Sequence, residues 1–80
     1  METGEPLILY TRSDCHLCEQ AAAMLERAGI GWRPVDIDAD PELEERYGLR
    51  IPVLRRSGSG EELDYPFDDS RIKAFAGMGS

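Results

Sequence analysis

Leu7-Ile8-Leu9-Tyr10-Thr11-Arg12-Ser13-Asp14-Cys15-His16-Leu17-Cys18 sets a continuous apolar run just ahead of two cysteines spaced three apart. A run such as Leu7–Tyr10 predicts a strand covered on both faces, and hence a parallel or central one. From Leu17 onward the apolar residues fall at Leu17, Ala21, Met24, Leu25 and Ala28. That spacing lines one face of a helix from about Cys15 or His16 to Ala28, with Gly29 suited to end it at C′. A second strand is predicted over Trp32 to Ile37, where Val35 and Ile37 alternate with Asp36 and Asp38. Strand, helix and strand joined this tightly make a βαβ unit with parallel strands and a right-handed crossover.

Outward from this unit, Asp40-Pro41-Glu42 offers an N-cap residue, a proline for the first helical position and an acid for the helix dipole. A short helix with Leu43 and Tyr47 on its apolar stripe is expected to end at Gly48. Pro52 to Arg56 and Glu61 to Tyr65 flank Ser57-Gly58-Ser59-Gly60, which reads as an antiparallel hairpin with a four-residue loop. Asp68 or Asp69 then caps a final helix with Ile72, Phe75 and Ala76 on one face, ending at Gly77. The order β-α-β-(α)-β-β-α predicts an α/β fold, a mixed four-stranded sheet flanked by helices. If the third strand opposes the first, Pro52 begins at the cysteine end, and the fourth strand returns there to deliver Pro66 to Asp69.

Eighty residues, 41% of them hydrophobic, suit one domain spanning 1–80. A chain this short buries only roughly 60% of its unfolded surface. Nine basic residues against sixteen acidic give a net charge of −7, which disfavours nucleic acid and anionic membranes as partners. Met1 to Pro6 shows neither the basic start nor the apolar stretch of a signal peptide, and no apolar run approaches the roughly 20 residues of a membrane span. A cytoplasmic, monomeric protein is therefore expected.

The spacing of the cysteines carries the chemistry. At i and i+3 on a helix the two sulfurs share a face, and the first sits where unpaired backbone N–H groups and the positive end of the dipole favour a thiolate. Cys15 is the expected nucleophile and Cys18 the resolving thiol. Two cysteines and one histidine cannot supply four Cys/His ligands to a structural zinc within a monomer, so no metal site is expected. A purely structural disulfide would close a very short loop and constrain little of the unfolded chain. Two inert buried cysteines are the remaining bland alternative. A cationic His16 would lower the Cys15 pKa from the ordinary value of about 8.5, whereas Asp14 would oppose ionisation unless it caps the helix. Arg12 offsets that carboxylate or simply adds surface charge.

At these residues the chain resembles a known family. Tyr10 to Cys18 looks like the active-site segment of glutaredoxins, and Leu49-Arg50-Ile51-Pro52-Val53-Leu54 is similar to their hydrophobic-Pro-hydrophobic segment. The whole resembles the small bacterial glutaredoxin-like proteins of the thioredoxin-like superfamily, with a likeness running from Leu7 to Ala76. The resemblance implies a thioredoxin-like fold and a cis Ile51-Pro52 peptide facing Cys15. It implies further that the Ile51 backbone pairs with an extended substrate, and that Arg12 and Asp68 or Asp69 stand at glutathione-binding positions. Two departures stand out. No proline follows Cys15, and Tyr65-Pro66-Phe67 replaces the glycine pair that precedes the glutathione-binding aspartate.

The expected activity is thiol–disulfide exchange that reduces protein disulfides or glutathione mixed disulfides, a part in cell redox homeostasis. No resident cofactor is expected, and the electron donor is either glutathione or thioredoxin reductase. Free glutathione should bind only weakly. Two other readings are a redox-inactive binding module on the same fold and a dimeric iron–sulfur carrier that uses Cys15 with external thiols.

Overall fold

A computed structural model describes residues 7–77 of the chain, so Met1 to Pro6, read above for targeting signals, lie outside the described residues. Strand β1 spans Leu7–Thr11, helix α1 His16–Ala28 and strand β2 Trp32–Asp36. A 3-10 turn over Ile37–Ala39 leads into helix α2, Pro41–Tyr47, followed by strands β3, Val53–Arg56, and β4, Glu62–Asp64, and helix α3, Asp69–Ala76. The four strands form one mixed sheet in the order β2-β1-β3-β4, the α/β arrangement that the element order predicts and that the resemblance implies. β1 pairs in parallel with β2 and antiparallel with β3, and β4 returns antiparallel to β3.

Central β1 is buried from Leu7 through Tyr10, and its alternate side chains feed two cores. Leu7 and Leu9 join Ala21, Leu25, Leu54, Phe67 and Ile72 beneath α1 and α3. Ile8 and Tyr10 join Ile37, Tyr47 and Val53 beneath α2 on the opposite face. Phe67 lies within the first core, and Trp32 and Phe75 pack against it from partly buried positions.

Local caps explain where the elements start and stop. Gly29 ends α1 in the left-handed region at φ 70°, and Asp40 caps α2 through the Glu42 N–H ahead of Pro41. At Gly48 a Cβ would lie 2.5 Å from the Glu44 carbonyl oxygen, so glycine is what lets the chain leave α2 toward Ile51. Asp68, rather than Asp69, caps α3, accepting the Arg71 N–H at 2.9 Å.

Four boundaries differ from the sequence expectation, the slightest being that β4 begins at Glu62 and not Glu61. β2 stops at Asp36 because that side chain accepts the Asp38 N–H at 2.9 Å and turns the chain, so Ile37 reaches the core from a 3-10 turn and not from a strand. Pro52 precedes β3 instead of opening it, since the paired register begins at Val53. Tyr65 lies outside β4, which ends at Asp64 just before the cis Tyr65-Pro66 peptide. No helix among the described residues is long and apolar enough to cross a membrane.

Candidate active site

The end of β1 delivers the chain to the cysteines through Arg12, Ser13 and Asp14. Asp14 takes φ 59°, the one non-glycine residue with positive φ among the described residues, and this left-handed turn sets Cys15 at the start of α1. Cys15 is itself the N-cap, with extended backbone and a side chain that accepts the Cys18 N–H at 3.2 Å. Asp14 does not cap the helix, contrary to the role that would have removed its charge from the dithiol. It is exposed and has no ion pair among the described residues.

Cys15 and Cys18 form a disulfide across a Cα–Cα separation of 5.2 Å. The two sulfurs are not equivalent. Cys18 is 3% exposed within the core, whereas Cys15 stays partly accessible. One cysteine thus stays partly open to solvent at a helix N-terminus while its partner lies behind it, one turn inside. Among the described residues no group of three or more His, Cys, Asp or Glu is placed to hold a metal ion.

The segment Ile51-Pro52 comes to this end of the sheet through strand register. Tyr10 pairs with Val53, so Pro52 and Ile51 continue alongside Thr11 and Arg12, where β1 gives way to the loop bearing Cys15. The Ile51-Pro52 peptide is cis, as is Tyr65-Pro66. The Arg50 and Ile51 N–H groups donate to the Tyr47 carbonyl at 2.8 and 3.0 Å, which ties this segment to the end of α2.

Arg50, which sequence reasoning passed over, anchors the segment from its other side. Its Nη2 donates to Asp64 at 2.7 Å and to Glu62 at 2.8 Å on β4, and its guanidinium stands 5.3 Å from the Tyr47 ring centroid. Its pKa is pushed above the ordinary arginine value, first by the hydrogen bond to Asp64 and then by that to Glu62. The sequence holds one signal for this clamp. Glu62 and Asp64 alternate on one side of a strand, opposite a cation that immediately precedes Ile-Pro.

Arg12 is paired with two carboxylates. It donates through Nε and Nη2 to Asp38 at 3.2 and 2.7 Å, and through Nη2 to Glu44 at 3.2 Å. The hydrogen bond to Asp38 is the main reason that its pKa lies above the usual value.

Asp69 is not brought to the dithiol. Its carboxylate lies 3.4 Å from Arg27, in the last turn of α1 and roughly 18 Å along the helix from Cys15 at 1.5 Å per residue. The chain turns after Asp64 and runs along α1, burying Phe67, so the expected convergence of three segments reduces to two. Tyr65 is the part of that loop nearest the site, its hydroxyl donating to Gln20 Oε1 at 3.4 Å. Gln20 Nε2 in turn lies 3.2 Å from His16 Nε2, so the imidazole between the cysteines leans along the exposed side of α1.

A profile of the glutaredoxin-like domain (DUF836) matches residues 6–75. A Pseudomonas aeruginosa protein named glutaredoxin is 32% identical over 54 residues, 68% of this chain and 57% of that protein. The chain thus spans little more than half the length of that relative. The SPbeta prophage-derived thioredoxin-like protein YosR of Bacillus subtilis is 32% identical over 60 residues, 72% of this chain and 75% of its own. Among solved structures, target protein XcR50 from X. campestris is 53% identical with a TM-score of 0.80, covering 86% of this chain and 92% of that one. Protein Ne2328 from Nitrosomonas europaea is 29% identical with a TM-score of 0.73, covering 94% of both chains.

Proposed function

We propose, from the premise that this chain belongs to the glutaredoxin-like domain family (DUF836), that it is a thiol–disulfide oxidoreductase working through Cys15 and Cys18. The observation that carries the proposal is the asymmetry of the pair. Cys15 is partly accessible, its Sγ accepts a backbone N–H at a helix start, and Cys18 is buried one turn behind it. A backbone donor and the helix dipole stabilise negative charge on the first sulfur, so the nucleophile and the resolving thiol are distinguished by position.

In the reduced protein the Cys15 thiolate attacks one sulfur of a substrate disulfide. A Cys15–substrate bond forms, and the other substrate sulfur leaves as a thiolate that takes up a proton. Cys18 then loses its proton and attacks Cys15 Sγ, releasing the second substrate thiol and leaving the Cys15–Cys18 disulfide. Two electrons have passed from the dithiol to the substrate, and two thiols of an external donor return them. Ile51 and Pro52 would border the extended substrate beside Cys15, held there by Arg50 and Tyr47. His16 and Asp14 flank Cys15 and tune its charge.

The substrates under this reading are protein disulfides or glutathione mixed disulfides in the cytoplasm, acted on by a monomer without a resident cofactor. Binding of free glutathione is weak, since Arg12 is spent on Asp38 and Glu44 and Asp69 on Arg27. The test is reduction of hydroxyethyl disulfide with glutathione and with thioredoxin reductase offered as alternative donors. Turnover with either supports the proposal, and no turnover with any donor would leave a redox-inactive module. An iron-containing, coloured preparation would instead indicate an iron–sulfur carrier.

A further inference from the structure

The large aliphatic side chains exposed among the described residues are Leu17, at 43%, and Leu49, at 104%. Each adjoins a segment of the site in sequence. Leu17 stands between the cysteines in the first turn of α1, and Leu49 stands two residues ahead of Ile51 in the turn that follows α2. A fully exposed leucine contributes nothing to the core of its own fold. The two adjoin in sequence, on different elements, the dithiol and the Ile51-Pro52 segment that strand register carries to the same end of the sheet.

The charge around these leucines is negative. Arg12 is matched by two carboxylates, Asp38 and Glu44, and Arg50 by two more, Glu62 and Asp64. Arg46, the remaining cation of α2, follows Glu42, Glu44 and Glu45 on its own helix. Asp14 and Glu19 are exposed beside Cys15 and Cys18 without an ion pair among the described residues. Asp36 joins them, since β2 pairs it with Thr11 at the cysteine end of β1. Every cation at this end is therefore matched or outnumbered, and the field at the dithiol repels an anionic substrate such as glutathione.

Resting on the oxidoreductase reading, we infer that the partner is a protein whose disulfide lies in a segment carrying an aliphatic residue and lysine or arginine beside the reactive cysteine. The aliphatic side chain covers Leu49 and Leu17, and the cations meet the acidic rim. Apolar burial supplies affinity, and charge complementarity supplies encounter rate and choice of partner.

Three synthetic cysteinyl peptides, each capped as a mixed disulfide with 2-mercaptoethanol, test this with the intact protein. Their flanks are Lys and Leu, Lys and Ser, or Glu and Ser, and each rate is expressed relative to hydroxyethyl disulfide. The Lys/Leu peptide is expected to exceed Glu/Ser by about tenfold or more in kcat/KM at low salt, and the part due to charge is expected to shrink near 0.5 M salt, where exposed charges are screened. Leu49→Ser is expected to lower the Lys/Leu to Lys/Ser ratio by about fivefold, as partial burial of one leucine implies. Equal rates on all three peptides, or a ratio that Leu49→Ser does not move, would overturn this inference alone. Failure to reduce hydroxyethyl disulfide would overturn the oxidoreductase reading and this inference with it.

Discussion

Arg12 and Asp38 form a two-pronged hydrogen bond, Nε and Nη2 both donating to Oδ1 at 3.2 and 2.7 Å, and this bond takes from the dithiol its nearest cation in sequence. The arginine lies only three residues before Cys15, yet its guanidinium serves the 3-10 turn and α2. Fold and specificity meet in this pair. The same contact that joins the β1 loop to the acidic segment leaves little positive charge for a small anionic thiol.

Freeing that arginine should therefore change ligand choice. In a Cys15→Ser background, which separates recognition from thiol chemistry, glutathione is expected to bind with about millimolar affinity or weaker. Adding Asp38→Asn and Glu44→Gln should tighten it several-fold, with NMR shifts at Arg12 and Ile51. Micromolar binding before those changes would mean that Arg12 is available to the ligand despite its two carboxylates.

Tyr47 and Glu62 predict how stability depends on pH. The Tyr47 hydroxyl donates to Glu62 at 2.5 Å, and Tyr47 also stacks on Tyr10 with centroids 4.1 Å apart. Burial, then the bond to Glu62, pushes the Tyr47 pKa up to about 12, while Tyr47 and then Arg50 hold the Glu62 pKa below the usual carboxylate value. The phenol's contribution is complete below its unfolded value of about 10 and is lost as pH rises through about 12. The carboxylate's contribution is present above its unfolded value of about 4.3 and is lost as pH falls through its lower folded value. Denaturant midpoints measured across pH should show both losses. Tyr47→Phe should cost about 1–2 kcal/mol near neutrality and flatten the alkaline limb.

Leu25→Ala offers a check on the core beneath α1. Leu25 is fully buried between β1 and the helices, and removing it should cost about 2–5 kcal/mol by lost transfer energy and the cavity left behind. Small domains have of order 5–10 kcal/mol in total, so chemical denaturation should show a variant near the edge of stability. A loss below about 1 kcal/mol would mean that the helix is less firmly seated than its burial indicates.

The fold was legible in the sequence because its signals are local and mutually consistent. An apolar strand, a 3.6-period helix closed by Gly29, the Asp40-Pro41 start of α2 and the glycine-rich hairpin loop each specify one element, and handedness rules then leave few ways to assemble them. The dithiol was legible for the same reason, since i, i+3 spacing at a helix start is a property of a single element. What escaped depends on side chains meeting across elements. Arg12 reads as a free cation until the turn at Asp36 brings Asp38 to it. Asp69 reads as a neighbour of the cysteines until Phe67 is buried and the loop is drawn along α1 to Arg27. Arg50 becomes a clamp only when β4 places Glu62 and Asp64, whose alternation is its one trace in the sequence, beside it.

The central claim, that Cys15 attacks and Cys18 resolves, is tested most directly by trapping the intermediate. Reduced Cys18→Ser protein is mixed with a peptide disulfide and analysed by intact-mass spectrometry with peptide mapping, alongside Cys15→Ser. The account predicts near-stoichiometric mixed disulfide on Cys15 in Cys18→Ser, since no intramolecular thiol remains to release it, and little or no adduct in Cys15→Ser, whose remaining cysteine is 3% exposed. An adduct that forms mainly on Cys18, or a Cys18→Ser protein that turns over as fast as the unaltered chain, would contradict it.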